Sequence, residues 1–162
     1  ALTDKLTVEW TPPSDGPERP CVRVFRADGS DTGIAFHGVP GGHEFNSFIV
    51  GLYNAAGPGQ SIDPALAEAI AAIGRPLELQ IVVSLTCTMC PELVMAAQKI
   101  AVSNPLVTAK AYDVNLFPEL RERYKIMSVP CLIINKTKVA FGKKTLAQLL
   151  ELLAELEAGH AG

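Results

Sequence analysis

Cys87 and Cys90 stand two residues apart in Ser84-Leu85-Thr86-Cys87-Thr88-Met89-Cys90-Pro91. That spacing lets two thiols close a small ring once the second enters a helix. The apolar run Leu77–Val83 precedes the pair, and Met89, Leu93, Ala97, Ile100 and Ala101 recur after it at helical spacing. A strand therefore delivers the pair to a helix N-terminus. There the backbone N–H groups and the positive end of the dipole favour thiolate, so Cys87 reads as the attacking sulfur and Cys90 as the resolving thiol of a disulfide-exchange pair. A second feature supports this: Met127-Ser128-Val129-Pro130-Cys131 places Pro130 40 residues after Cys90, just ahead of the apolar Leu132, Ile133 and Ile134. A partner that brings a sulfur to Cys87 has to meet Thr88, Met89, Val129 and Pro130, which makes these the candidate binding residues.

The elements that must position these residues follow from periodicity and punctuation. Asp63 reads as a helix cap with Pro64 at the first helical position, and Leu66, Ala69, Ile70 and Ile73 recur up to Gly74. After the strand at Leu77–Val83, a helix is predicted over 88–102 and ends at Asn104-Pro105. A strand over 107–114 and a short helix over 118–124 follow. Strands over 131–135 and 138–141 fit a hairpin around Lys136-Thr137. Thr145 caps a final helix bearing Leu146, Leu149, Leu150, Leu153 and Leu156. The order α-β-α-β-α-β-β-α is that of a thioredoxin fold.

The first sixty residues differ. Three strand-like runs, 6–10, 21–26 and 33–36, are separated by Pro- and Gly-rich turns, and a helix is predicted over 43–53 with Phe45, Phe48, Ile49 and Leu52 as its apolar face. This β-β-β-α order fits a thioredoxin fold lacking its opening strand and helix. The expected organisation is thus an α/β protein of two thioredoxin-like units, an incomplete, redox-silent one over 1–59 and a dithiol-bearing one over 60–158, with 159–162 as a frayed tail or linker start.

Composition narrows the function. The chain has 162 residues, 48% of them hydrophobic, and a net charge of −3. That is enough for one good core or two small ones, and it offers no basic face for nucleic acid or an anionic membrane. No apolar run reaches the roughly 18 residues of a membrane span, the N-terminus lacks the pattern of a secretory signal, and four cysteines in a core-rich chain do not resemble a disulfide-stapled secreted domain. A cytoplasmic location is the expectation.

Gly41-Gly42-His43-Glu44-Phe45, the Cys87-Thr88-Met89-Cys90 segment and Val129-Pro130 together resemble the N-terminal domain of the alkyl hydroperoxide reductase flavoprotein component, over roughly residues 5–157. The resemblance implies two fused thioredoxin folds of which only the second is redox active. It implies a dithiol that takes electrons from a thioredoxin-reductase-type flavoprotein and passes them to a peroxiredoxin. No cofactor is expected on the chain itself; electrons come ultimately from NAD(P)H through the FAD of a partner domain or protein. It also implies a cis Pro130 whose loop lies against the dithiol, and a catalytic role for Glu44 as the carboxylate near the pair. Thioredoxins place their buried acid six residues before the first cysteine, where this chain has Ile81. Residue 131 departs from the family pattern, being Cys where a small apolar residue is expected, and this puts a third sulfur potentially close to the pair.

Other readings stand beside these. Cys87 and Cys90 could be half of a zinc or iron–sulfur site with Cys131, in a thioredoxin-fold module that never turns over; the expectation is that no metal is bound. A general protein disulfide reductase or glutaredoxin-like protein would use the same chemistry on many substrates. Glu44 is also a helix-start carboxylate favoured by the dipole, and His43 reads as structural. Cys21 reads as a small buried hydrophobe, while Cys131 is either a core thiol or a regulatory or metal-binding one.

Overall fold

The computed structural model describes residues 5–12, 16 and 18–159. Its elements run β1 (Cys21–Phe25), β2 (Asp31–His37), α1 (Glu44–Ala56), α2 (Pro64–Ala71), β3 (Leu77–Val83), α3 (Cys90–Ser103), β4 (Val107–Asp113), α4 (Pro118–Arg123), β5 (Cys131–Ile134), β6 (Lys138–Phe141) and α5 (Leu146–Ala158). The caps form where the sequence places them. Asp63 accepts from the Ala65 N–H at 2.8 Å, and Thr145 with Gln148 closes a reciprocal capping box. The expected tail beyond Gly159 lies outside the described residues.

All six strands form one sheet in the order β1-β2-β4-β3-β5-β6. The centre is parallel, with β2 on β4 and β4 on β3, and antiparallel β1, β5 and β6 finish the two sides. Pairing of β2 with β4 carries the sheet across the boundary between the two expected units without interruption. α3 lies across β2, β3 and β4, and α1, α2 and α5 pack against it. Between helices and sheet sits the main core, including Phe36, Leu79, Ile81, Leu93, Ile100, Leu132 and Leu149. On the opposite face α4 and its flanks cover a smaller cluster of Val82, Ile126, Cys131 and Ile133.

Three expectations are corrected. The 6–10 run is no strand: Leu6, Val8 and Trp10 are 45%, 78% and 92% exposed, and among the described residues the edge strand β1 pairs only with β2. Apolar alternation without a neighbouring ladder leaves the backbone groups to water. The predicted apolar face of α1 is the second. Its buried positions are Glu44, Ser47 and Gly51, while Phe45 and Ile49 are exposed and Phe48 and Leu52 half-buried. Close approach decides this rotation, since Gly51 packs on Gln98 of α3 so tightly that a Cβ there would stand 2.8 Å from its Oε1. The third concerns the start of α3, which begins at Cys90 and not at 88, so Cys87 sits in the turn just before it.

The candidate dithiol site

The parallel strands β2, β4 and β3 all end on the same side of the sheet, and the pair grows from the end of β3. The Cys87 N–H donates to the Ser84 carbonyl at 2.9 Å, folding the chain back into α3. Cys90 is the first helical residue, followed by Pro91, whose missing N–H costs nothing in a first turn. Cys87 and Cys90 are joined as a disulfide with Cα atoms 5.6 Å apart. The two sulfurs differ in access: Cys87 is half-buried and Cys90 fully buried.

Strand register brings in the proline loop. Cys131 pairs with Val82 on antiparallel β5, so Val129 and Pro130 extend beyond the end of β3, level with the segment leading to Cys87. The Val129–Pro130 bond is cis, and the Val129 carbonyl oxygen lies 3.9 Å from the Cys87 sulfur. Pro130 is buried beneath this contact and Val129 half-buried, while Thr88 and Met89 are exposed beside the disulfide. Of the four predicted binding residues, Val129 thus touches the accessible sulfur through its carbonyl, Thr88 and Met89 follow Cys87 in the exposed turn, and Pro130 is buried.

Cys131 is not part of this site. Its side chain lies with Val82 and Ile133 on the sheet face opposite the core that holds Cys90, because successive strand residues alternate faces. Burial pushes its thiol up to about 11, the behaviour of an unreactive core sulfur. Among the described residues no group of three or more His, Cys, Asp and Glu is placed to hold a metal ion.

Glu44 reaches the site through backbone docking. The His43 N–H donates to the Leu85 carbonyl at 2.9 Å, and Gly42, at φ +53°, lies against that same carbonyl so closely that a Cβ would collide with it. Gly51 then meets Gln98 further along, so α1 and α3 run in the same sense. At 1.5 Å per residue, Glu44 lies about 10 Å before Gly51 and Cys90 about 12 Å before Gln98. The two therefore stand level, with Glu44 beside the first turn of α3. Its carboxylate is fully buried. Oε2 accepts from the Ser47 hydroxyl, while Oε1 has no hydrogen-bond partner. Burial is the dominant influence and pushes the carboxyl up to about 7, against a smaller downward pull from Ser47. An acid with that poise holds or releases a proton at neutral pH.

Ser47 went unnoticed in the sequence, although its i+3 spacing from Glu44 on a helix was the available signal. The Leu85 carbonyl and the Gly51–Gln98 contact had none, since both arise from tertiary docking. Gly42→Ala is expected to separate α1 from the Leu85 carbonyl. Cleavage by chymotrypsin or hydrogen exchange of the α1 amides should then rise well before global unfolding; unchanged α1 protection would show that this contact does not hold the helix.

A sheet with this strand order, a Cys-x-x-Cys disulfide at the end of β3 and a cis X-Pro loop across it define a thioredoxin-fold protein of the thiol–disulfide oxidoreductase class. Residues 77–154 match the family model described as a thioredoxin domain. Within that class the chain is a homologue of the N-terminal part of AhpF, the F component of alkyl hydroperoxide reductase. The Pseudomonas aeruginosa protein of that name is 34% identical over 160 residues, 99% of this chain and 30% of the relative. A Bacillus subtilis protein named NADH dehydrogenase is 30% identical over 159 residues, again 30% of its length. The solved NTD_N/C domain of alkylhydroperoxide reductase AhpF from Enterococcus faecalis is 43% identical with a TM-score of 0.81, over 84% of this chain and 65% of that one. The chain thus spans 24–30% of the length of the curated relatives it matches. No helix among the described residues is long and apolar enough to cross a membrane.

Proposed function

We propose that the Cys87–Cys90 pair relays electrons from a thioredoxin-reductase-type flavoprotein, fused or separate, to the disulfide of a peroxiredoxin that reduces hydroperoxides. The observation that carries this reading is the unequal access of the two sulfurs beside the Val129 carbonyl. In the reduced pair the half-buried Cys87 attacks the partner disulfide and expels one partner thiolate. Cys90, buried at the helix start, then attacks the Cys87 sulfur of the mixed disulfide and releases the second. Glu44 takes the proton of Cys90 as that attack begins, its raised pKa suiting it to accept one at neutral pH. The cycle closes when two electrons, drawn from NAD(P)H and carried by the FAD of the flavoprotein, reduce the disulfide. Thr88, Met89, Val129 and Pro130 form the surface on which either partner lies.

The test is stopped-flow reduction of an oxidised peroxiredoxin by the reduced chain, beside reduction of insulin as a general substrate. Rapid, stoichiometric oxidation by the peroxiredoxin, slow reaction with insulin and impaired transfer in Met89→Glu are expected. Equal rates with both substrates would replace the relay with a general disulfide reductase. Unchanged rates in Met89→Glu would remove that residue from the docking surface.

A further inference from the structure

Register places Cys21 of β1 directly opposite His37 of β2, which is level with Tyr112 of β4 and Val82 of β3, so the pair lies at the same end of the sheet as the dithiol, with β2 and β4 between β1 and β3. The Cys21 sulfur lies 3.9 Å from His37 Nε2, within reach of an S–H···N hydrogen bond. His37 Nδ1 is 2.6 Å from the Glu18 carbonyl oxygen. A carbonyl only accepts, so Nδ1 carries the proton and Nε2 presents its lone pair to Cys21. The ring is fixed by a stack on Tyr112, centroids 4.1 Å apart and 3° from parallel, and by the edge of Phe117. Nucleophile, base and a third group orienting the base are the arrangement that activates a thiol.

We propose that Cys21 is a His37-assisted thiol that forms mixed disulfides with low-molecular-weight disulfides. The sulfur attacks one sulfur of the small disulfide as its proton passes to Nε2. The S–S bond breaks, the departing thiolate takes the proton from His37, and Cys21 is oxidised to a mixed disulfide while one small thiol is released reduced. Four charged groups face the pair. Arg19 and Arg23 from β1 and the segment before it and Lys110 from β4 favour the Cys21 thiolate, and Glu18 opposes them; Arg23 and Lys110 also pair with Asp31 and Glu78. Burial is the larger influence on both residues, raising the thiol and lowering the imidazole, so the pair rests neutral with the S–H in place. The sequence alone suggested an inert buried cysteine; Cys21 is in fact half-buried.

The experiment treats the full chain, with Cys87–Cys90 oxidised, with glutathione disulfide or with cationic cystamine, and reads adducts on Cys21 and Cys131 by peptide mass spectrometry from pH 6.5 to 9. The expected result is modification of Cys21 alone, by either disulfide, at a rate nearly independent of pH because the base is built in. In His37→Phe, which keeps a ring against Tyr112, the rate is expected to fall about 100-fold at pH 7 and to climb about tenfold per pH unit with the thiolate fraction. A tenfold-per-unit climb in the wild-type chain, or labelling of Cys21 no faster than Cys131, overturns the assisted thiol, and neither readout depends on the variant folding. Failure of both disulfides to modify Cys21 overturns the proposal as well.

Discussion

Replacing Cys90 with serine is expected to stop turnover of the dithiol while leaving its first step intact. Cys87 remains half-buried against the Val129 carbonyl, so it still attacks a partner disulfide. The mixed disulfide then has no second sulfur to resolve it. A hydroxyl at position 90 is not nucleophilic toward a disulfide, and the nearest other thiol, Cys131, sits on the opposite face of the sheet. The Cys90→Ser chain should therefore accumulate as a covalent complex with its acceptor, visible on a non-reducing gel and dissolved by dithiothreitol. Cys87→Ser should give no complex and no turnover, because Cys90 is wholly buried and unable to meet a partner sulfur. Trapping by Cys87→Ser instead of by Cys90→Ser would reverse the assigned order of attack.

Much of this was legible in the chain because the relevant signals are local. The strand over Leu77–Val83 is a continuous apolar run; the caps at Asp63 and Thr145 use the residue types whose side chains reach the first free N–H groups. The dithiol was legible because its spacing and its strand–helix setting both lie within fifteen residues. What was not legible depends on tertiary neighbours. The 6–10 run carries the alternation of a strand, yet alternation says nothing of whether a ladder exists to join. α1 carries an apolar stripe at Phe45 and Ile49, but its rotation is set by the approach of Gly51 to Gln98 and of Gly42 to Leu85, contacts between segments about forty residues apart or more. Cys131 is next to the proline of the site in sequence, and the strand pleat then sends its side chain to the other face. Cys21 and His37 are sixteen residues apart, and only the β1–β2 register makes them neighbours.

Glu44 joins the site to stability, and the sign of that coupling can be worked out. Its carboxyl has a value of 4.5 when unperturbed and is pushed to about 7 in the fold by burial. The folded chain therefore holds the proton more tightly than the unfolded one. The stability this contributes is fully present below about pH 4.5 and is lost as pH rises through 7, where a charge must be kept in a site whose Oε1 has no partner. Full ionisation costs about 3 kcal/mol, since each tenfold change in proton affinity is worth about 1.4 kcal/mol. Glu44→Gln removes the charge and keeps an acceptor for the Ser47 hydroxyl. Urea denaturation is expected to show the variant gaining about 3 kcal/mol on the wild-type chain between pH 4 and pH 8.5, with most of the change between pH 5 and 7. A difference independent of pH would mean that Glu44 is not buried as a neutral acid. The same variant should lose the step near pH 7 in the rate at which Cys90 resolves a mixed disulfide. A gain in stability with an unchanged rate profile would leave Glu44 a buried acid with no part in the exchange.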